Sequence, residues 1–337
     1  MSKIQVATIN DTEEIMFYID KFWKKKHILS QNISFFLNEF QNNNNLNIII
    51  AKNNTGTIVG MFGFLFYNSS ETPDVAGSIW HVNPEHKELF LGIKLRNFMV
   101  KNITHRFFAA PGAGLQTRKI YTQLKMNWHK MDHFYIINDK LNEYTIGAIP
   151  NDKREVFSIN NNSDKIKITR TNIISDISEF NFSKYSKYMP IKDLKYIEKK
   201  FYNNPIHKYD IYIVKIDNEI INIFICRAFS CDSSSAYRLV DFYGDENYMN
   251  TITQFLYQQL IENNYEYVDF ISSGFNIQNI LASGFRRLDF EGDIIIPNYT
   301  NPLVKENIPI YCVSDKTNNY IFRQCKADGD QDRPNEN

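Results

Sequence analysis

Hydrophobic and polar positions along the chain fall into two successive series of elements with the same order. In the first, residues 4–8 alternate as an edge strand, and Asp11-Thr12-Glu13-Glu14 has the pattern of a capping box that starts a helix. That helix sets Ile15, Ile19 and Phe22 on one face, at helical spacing. Residues 48–51 and 57–67 are apolar runs joined by Asn53-Asn54-Thr55-Gly56, whose Asn and Gly supply the positive φ angles of a tight hairpin turn. A strand over 78–82 follows, then a helix with Leu91, Leu95 and Phe98 inward. A strand over 106–109, a helix over 117–124 and a closing strand over 133–137 complete the series.

The second series repeats this plan. A hairpin of 211–216 and 220–229 turns across Asp217-Asn218, and a strand over 238–243 leads to a helix over 245–261 with Met249, Ile252, Leu256 and Leu260 inward. A strand over 267–271, a helix over 277–283 and a strand from Phe285 follow. The intervening stretch 138–165 is polar and holds Gly147, Pro150 and Asn160-Asn161-Asn162. It predicts a division into residues 1–145 and 146–337, two domains related by element order more than by residue identity.

Composition narrows the function. A chain of 337 residues suits two domains, and 43% apolar residues give each a core. Lys+Arg and Asp+Glu both number 38, so no basic excess points to nucleic acid. The start MSKIQVATINDTEE has no apolar core of a secretory signal, and no apolar run approaches the roughly 20 residues that span a bilayer. Cys226, Cys231, Cys312 and Cys325 lack CxxC spacing and read as free thiols of a reducing compartment, not zinc ligands or disulfides. The expectation is a cytoplasmic monomer or dimer with no nucleic-acid or membrane partner and no metal.

The chemistry concentrates in residues 77–100, GSIWHVNPEHKELFLGIKLRNFMV, a strand running through a loop into an amphipathic helix that begins at Gly92. Unpaired backbone N–H groups and the helix dipole make such a start a site for phosphate or pyrophosphate. The order hairpin, strand, pyrophosphate loop, helix, strand, helix, strand resembles the GNAT acyltransferase fold. Pro84-Glu85-His86 and Lys87-Glu88-Leu89-Phe90-Leu91-Gly92 lie where that family has a basic residue or Gln and then two glycines in an x-x-G-x-G spacing. Ile120-Tyr121-Thr122-Gln123-Leu124 resembles the family's "LYEKL" helix, whose Tyr commonly protonates the leaving thiolate. In the second half, Ile280-Leu281-Ala282-Ser283-Gly284-Phe285 resembles the family's helix-to-strand "GF" junction.

The resemblance implies an α+β fold of two tandem GNAT-like domains, each a central mixed, mostly antiparallel sheet flanked by helices. One departure stands out: Phe90 occupies the middle glycine position, where a ring would narrow the approach of a pyrophosphate. No Gly-rich loop follows residues 238–243, so the first domain alone is expected to bind acyl-CoA. The layout, with Met131-Asp132-His133-Phe134-Tyr135, Val240-Asp241-Phe242 and the tail from Lys326 to Asn335, looks like bacterial double-GNAT N-acyltransferases of dTDP-amino-dideoxysugars from surface-polysaccharide pathways. That implies a nucleotide-linked amino sugar as acceptor, in the cleft between halves, and acetyl-CoA or 3-hydroxybutanoyl-CoA as donor. Acylation of another amine or a peptide, and a catalytically inactive binding protein, stand as alternatives.

Acyl transfer to an amine needs a neutral amine, a held thioester, a stabilised oxyanion and a protonated leaving thiolate. For the donor, backbone groups at Trp80 and Val82 would hold the pantetheine arm, with Lys87, Leu91, Gly92 and Ile93 around the phosphates. His81 is the candidate base, since its ordinary pKa of about 6.5 suits neutral pH, and Asp132 is a second. Tyr121 is the candidate acid on the resemblance. His133, Asp241 and Asp269 are candidate acceptor contacts; Asp241 and Asp269 are equally readable as paired structural groups, and alternation lets at most one of Asp132 and His133 enter the cleft, the two otherwise reading as an ordinary turn pair. In the tail, Asp330 or Gln331 would meet a pyrimidine edge and Arg333 its phosphates, unless the tail is disordered as polar termini often are.

Overall fold

The computed structural model describes residues 1–158, 166–316 and 319–329. In chain order the first elements are β1 (Lys3–Thr8), α1 (Thr12–Tyr18), α2 (Ile28–Gln31), α3 (Ile33–Phe40), β2 (Gln41–Asn42), β3 (Asn45–Lys52), β4 (Ile58–Phe66) and β5 (Asp74–Val82). Then come α4 (Leu91–Asn102), β6 (Phe107–Pro111), α5 (Arg118–Gln123), β7 (Asn127–Lys130), β8 (Asp132–Ile137), β9 (Ile166–Thr171), β10 (Tyr188–Met189) and α6 (Leu194–Ile197). The last are β11 (Asp210–Ile216), β12 (Glu219–Cys231), β13 (Ser234–Gly244), α7 (Met249–Glu262), β14 (Tyr267–Ser273), α8 (Ile277–Ala282), β15 (Arg286–Arg287), β16 (Tyr311–Ser314), β17 (Ile321–Phe322) and β18 (Gln324–Cys325).

Two mixed sheets result. One has the order β1-β3-β4-β5-β6-β16-β7, with β2 on β3; the other has β15-β8-β14-β13-β12-β11-β9, with β18 on β14. Within each, a single pair is parallel: β5 with β6 and β13 with β14. This is the expected α+β architecture of two sheets, each mostly antiparallel. The hairpin turns form as their residues dictate: Gly56, Asp217 and Asn218 all take positive φ.

The closing strand assigned to the first series lies elsewhere. β8 joins the second sheet beside β14, with Tyr135 opposite Asp269, and its place in the first sheet is taken by β16, between β6 and β7. Residues 133–137 are all buried, so nothing in their polarity selects one sheet over the other. The two sheets therefore exchange strands and do not divide the chain at a single point. Apolar side chains of both, among them Ala76, Phe107 and Ala109 from one and Ile211, Ile223 and Ile271 from the other, form one continuous core at the seam.

Two local expectations also change. Asp11 turns back to accept from the Thr8 N–H (2.8 Å) and hydroxyl (3.0 Å), while Glu14 accepts from the Ile58 N–H (2.9 Å) and Lys52 Nζ (2.9 Å) rather than closing a capping box. On α4 the buried positions are Leu91, Leu95, Arg96 and Met99, with Phe98 at the edge of the face.

Candidate active site

β5 and β6 pair only from Asp74 to Ala76, against Phe107 to Ala109, and then diverge. β5 runs on to Val82 while β6 turns toward β16, so its edge beyond Ala76 meets no strand among the described residues. On its other side, Gly77 faces Phe64 and Trp80 faces Phe62, so two residues of β5, Ser78 and Ile79, stand against the single residue Gly63. Such a bulge bends a strand and re-aims its backbone; here Ser78 is exposed between buried neighbours. Gly77 is required for the close approach, because a Cβ there would lie 2.8 Å from Phe108 Cζ.

A cavity of about 250 Å³ opens at this divergence. Gly77, Ser78 and Ile79 form one wall, and Pro111 and Gly112 at the end of β6 form the opposite one. Trp23, Lys24 and His27 close it from the segment between α1 and α2, and Tyr299, Asp328 and Gly329 from the second half of the chain. Both halves thus build it. His27 Nδ1 accepts from the Leu29 N–H (3.3 Å), which in the neutral ring leaves the proton on Nε2.

The loop from Asn83 to Phe90 leads into α4. Phe90 caps the helix at φ 60° and ψ 18°, the left-handed conformation a glycine would favour. Phe90 is 71% exposed, so its ring packs against no core. Beyond it, the N–H groups of Leu91, Gly92 and Ile93 start the helix without intrahelical partners. Lys87 is exposed on the loop, and the acid of Glu88 is neutralised: Lys94 Nζ (2.8 Å) and the Ser2 N–H (2.8 Å) hold its carboxyl down at about 2.

Trp80 and Val82 face α4, with the Trp80 indole donating to the Gly92 carbonyl (3.0 Å) and packing edge-on against Tyr121, 5.5 Å between rings. Leu91 is buried beneath α4 and Ile93 is half-buried. Burial pushes the Tyr121 phenol well up, against the pull of the nearby Arg96, so it is protonated at neutral pH as a general acid must be.

The remaining candidates are dispersed. His81 lies on the opposite face of β5, its Nδ1 2.9 Å from the Tyr18 hydroxyl, and burial lowers its pKa and keeps it neutral. It is not part of the cavity wall. Asp132 pairs with Arg287 (2.5 Å) beside a different depression. His133 and Asp269 belong to the second sheet, where Asp269 meets His133 Nε2 (2.9 Å) and Arg238 Nε and Nη2 (both 2.7 Å). Burial alone would raise that carboxyl, but Arg238 and His133 hold it below the usual range. Asp241 accepts from Lys192 Nζ (2.7 Å) and the Tyr243 hydroxyl (2.6 Å). These carboxylates have the partners that buried charge requires, and the structure does not bring them to the cavity. Asp330, Gln331 and Arg333 lie outside the described residues.

The second sheet opens in the same way, since β13 and β14 pair only from Tyr237 to Leu239, but there the gap is filled. β18 adds to β14 at Ser272 and Ser273, and Lys192 bridges Asp241 and Asp328 (2.7 Å to each). The Arg323 guanidinium sits 3.5 Å from the Tyr188 ring centroid. About 50 Å³ remains, too little for a pantetheine arm, and the following loop carries Asp245 and Glu246.

Solved structures share this fold along nearly the whole chain. A putative acetyltransferase from Pyrococcus horikoshii superposes with a TM-score of 0.52 at 10% identity, covering 94% of this chain and 90% of that one. A GCN5-related N-acetyltransferase from Anabaena variabilis gives 0.55 at 10% identity over 93% and 72%, and a probable N-acyltransferase from Enterococcus faecalis gives 0.54 at 8% over 93% and 72%. No family model and no curated protein matches the sequence. The class is defined by its fold: two GNAT-like units in tandem, each lending a strand to the other's sheet. Among the described residues no helix is long and apolar enough to cross a membrane.

Proposed function

We propose that the protein is an acyl-CoA-dependent N-acyltransferase, with the donor on the first sheet and the acceptor in the cavity between the halves. The observation that carries this reading is the cavity's position at the divergence of β5 and β6, beside the bulge at Ser78 and Ile79. The free edge of β5 offers a pantetheine arm the backbone groups of an absent neighbouring strand. An N–H of the bulge would face the thioester oxygen, and one such donor is worth roughly 10²–10³ in rate. Holding amine and thioester together supplies about 7–11 kcal/mol in favourable cases, more than general-base help at about 10²–10⁴-fold. A neutral amine therefore needs no strong base, and Tyr121 supplies the proton for the leaving sulfur.

The acceptor in this reading is the amine of a nucleotide-linked amino sugar, such as a dTDP-3-amino-3,6-dideoxyhexose, and the donor is acetyl-CoA or 3-hydroxybutanoyl-CoA. What supports it is the cavity mouth. Trp23 is 37% exposed, and Lys24, Lys25 and Lys26 are exposed beside it. An indole and three ammonium groups match a base and a diphosphate. The test is a screen of acyl-CoAs against dTDP- and UDP-amino sugars, read by product mass. Acylated nucleotide sugar is the expected result; turnover only with simple amines or peptides would overturn the sugar assignment, and no turnover with any amine would overturn the transferase.

A further inference from the structure

Arg96 points inward from α4, next to Leu95 and one turn from Gly92, and is 9% exposed. It carries a full charge into an apolar cluster without a carboxylate on it. Among the described residues it forms no ion pair, its Nε has no hydrogen-bond partner, and its Nη2 reaches only the Met126 sulfur at 3.6 Å. The guanidinium lies over the Phe108 ring, 5.4 Å from its centroid. The ionisable groups acting on it are Tyr121 from α5 and Asp315, just after β16. Asp315 is itself engaged by the Phe108 N–H at 2.8 Å. Leaving a charge buried and unpaired is costly, and an apolar side chain of similar size would suit this cluster better.

The place of the charge points to its use. α4 begins at the phosphate loop, α5 carries Tyr121, and Phe108 is the β6 residue whose ring abuts Gly77, where the strands part. We propose that Arg96 stabilises the negative charge that the leaving CoA sulfur and Tyr121 carry during acyl transfer. The inference rests on the acyl-CoA reading above. In the step, the amine nitrogen forms a bond to the thioester carbon, the C–S bond breaks and its electron pair goes to sulfur. Tyr121 gives its proton to that sulfur, and the proton shed by the new amide nitrogen returns through solvent to the phenolate. Both anions, thiolate and phenolate, arise beside a guanidinium that no carboxylate among the described residues touches.

Arg96→Met tests this, with Arg96→Lys as the conservative variant. Because the native charge is unpaired, Arg96→Met should keep or raise the melting temperature while kcat falls by roughly 10²-fold, the scale of losing one preorganised charge donor; Arg96→Lys should recover part of it. A readout independent of the acceptor uses CoA and desulfo-CoA, which lacks the sulfur, titrated calorimetrically from pH about 7 to about 9, across the ordinary thiol range. The wild type should bind CoA about sixfold more tightly at the alkaline end, the effect across this window of lowering the bound thiol's pKa by about one unit, while desulfo-CoA binding stays flat. In Arg96→Met both ligands should be flat, with desulfo-CoA affinity unchanged. An equal pH dependence in the variant, or loss of stability together with desulfo-CoA binding, would overturn the proposal in favour of a packing role. If the wild type binds neither ligand, the donor reading fails first and this inference falls with it.

Discussion

Phe90 gives the sharpest test of how the donor loop works. Its backbone is left-handed, which costs an L-residue roughly 1–2 kcal/mol, and its ring is 71% exposed. Phe90→Gly removes that strain but adds about 0.5–1 kcal/mol of unfolded-chain freedom and gives up the small buried part of the ring. These offset, so stability should change by less than about 1 kcal/mol. Phe90→Pro differs in kind: its φ is locked near −65°, so the loop must distort by about 3 kcal/mol or more. If that distortion falls on the bound geometry, CoA affinity drops by about 10²-fold. Calorimetric titration of CoA into both variants reads the difference. Phe90→Gly should bind within about threefold of the wild type and Phe90→Pro far more weakly. Binding about tenfold tighter in Phe90→Gly would show that the ring obstructs the phosphates, and normal binding in Phe90→Pro would show that this loop is not the donor site.

Other outcomes follow from the same geometry. Tyr121→Phe should lower kcat while leaving CoA affinity nearly unchanged, since the ring still packs on Trp80; steady-state kinetics with unaltered turnover would remove Tyr121 from the acid role. Gly77→Ala should force Phe108 away and cost about 1–3 kcal/mol in chemical denaturation, with reduced turnover; a neutral result would mean the strands part without needing this contact. Asp269→Asn should destabilise by about 3–5 kcal/mol, because Arg238 and His133 both lose the buried carboxylate they meet. The folded-state pKa of Asp269 is depressed, so its stabilisation is complete above the unfolded value near 4 and is lost as pH falls through the lower folded value. The gap between wild type and variant should therefore hold at neutral pH and close below pH about 4; a gap that persists in acid would contradict the assignment.

What the sequence made legible was local. The two hairpins announce themselves through Gly56 and Asp217-Asn218, and α7 through Met249, Ile252, Leu256 and Leu260, all buried as expected. The loop before α4 was found through Gly92 and a pattern of residues within one turn. The strand exchange was not legible, because a strand buried over 133–137, as β8 is, satisfies either sheet and its partner is chosen by contacts more than a hundred residues away. The cavity escaped for the same reason, being assembled from 23–24, 27, 65, 77–79, 111–112, 299 and 328–329. The buried carboxylates were recognisable as needing partners, but Lys192, Arg238 and His133 could be matched to them only in three dimensions. Arg96 did leave a signal: it occupies an inward helical position beside Leu95, where an apolar residue belongs.

The number of donor molecules bound tests the account most directly. Calorimetric titration of acetyl-CoA into the full chain should give one site per chain, carried by the first sheet, because the corresponding gap in the second is filled by β18, Lys192 and Arg323. One equivalent in the wild type, abolished in Phe90→Pro, is the predicted result. No binding, or two equivalents per chain, would contradict it.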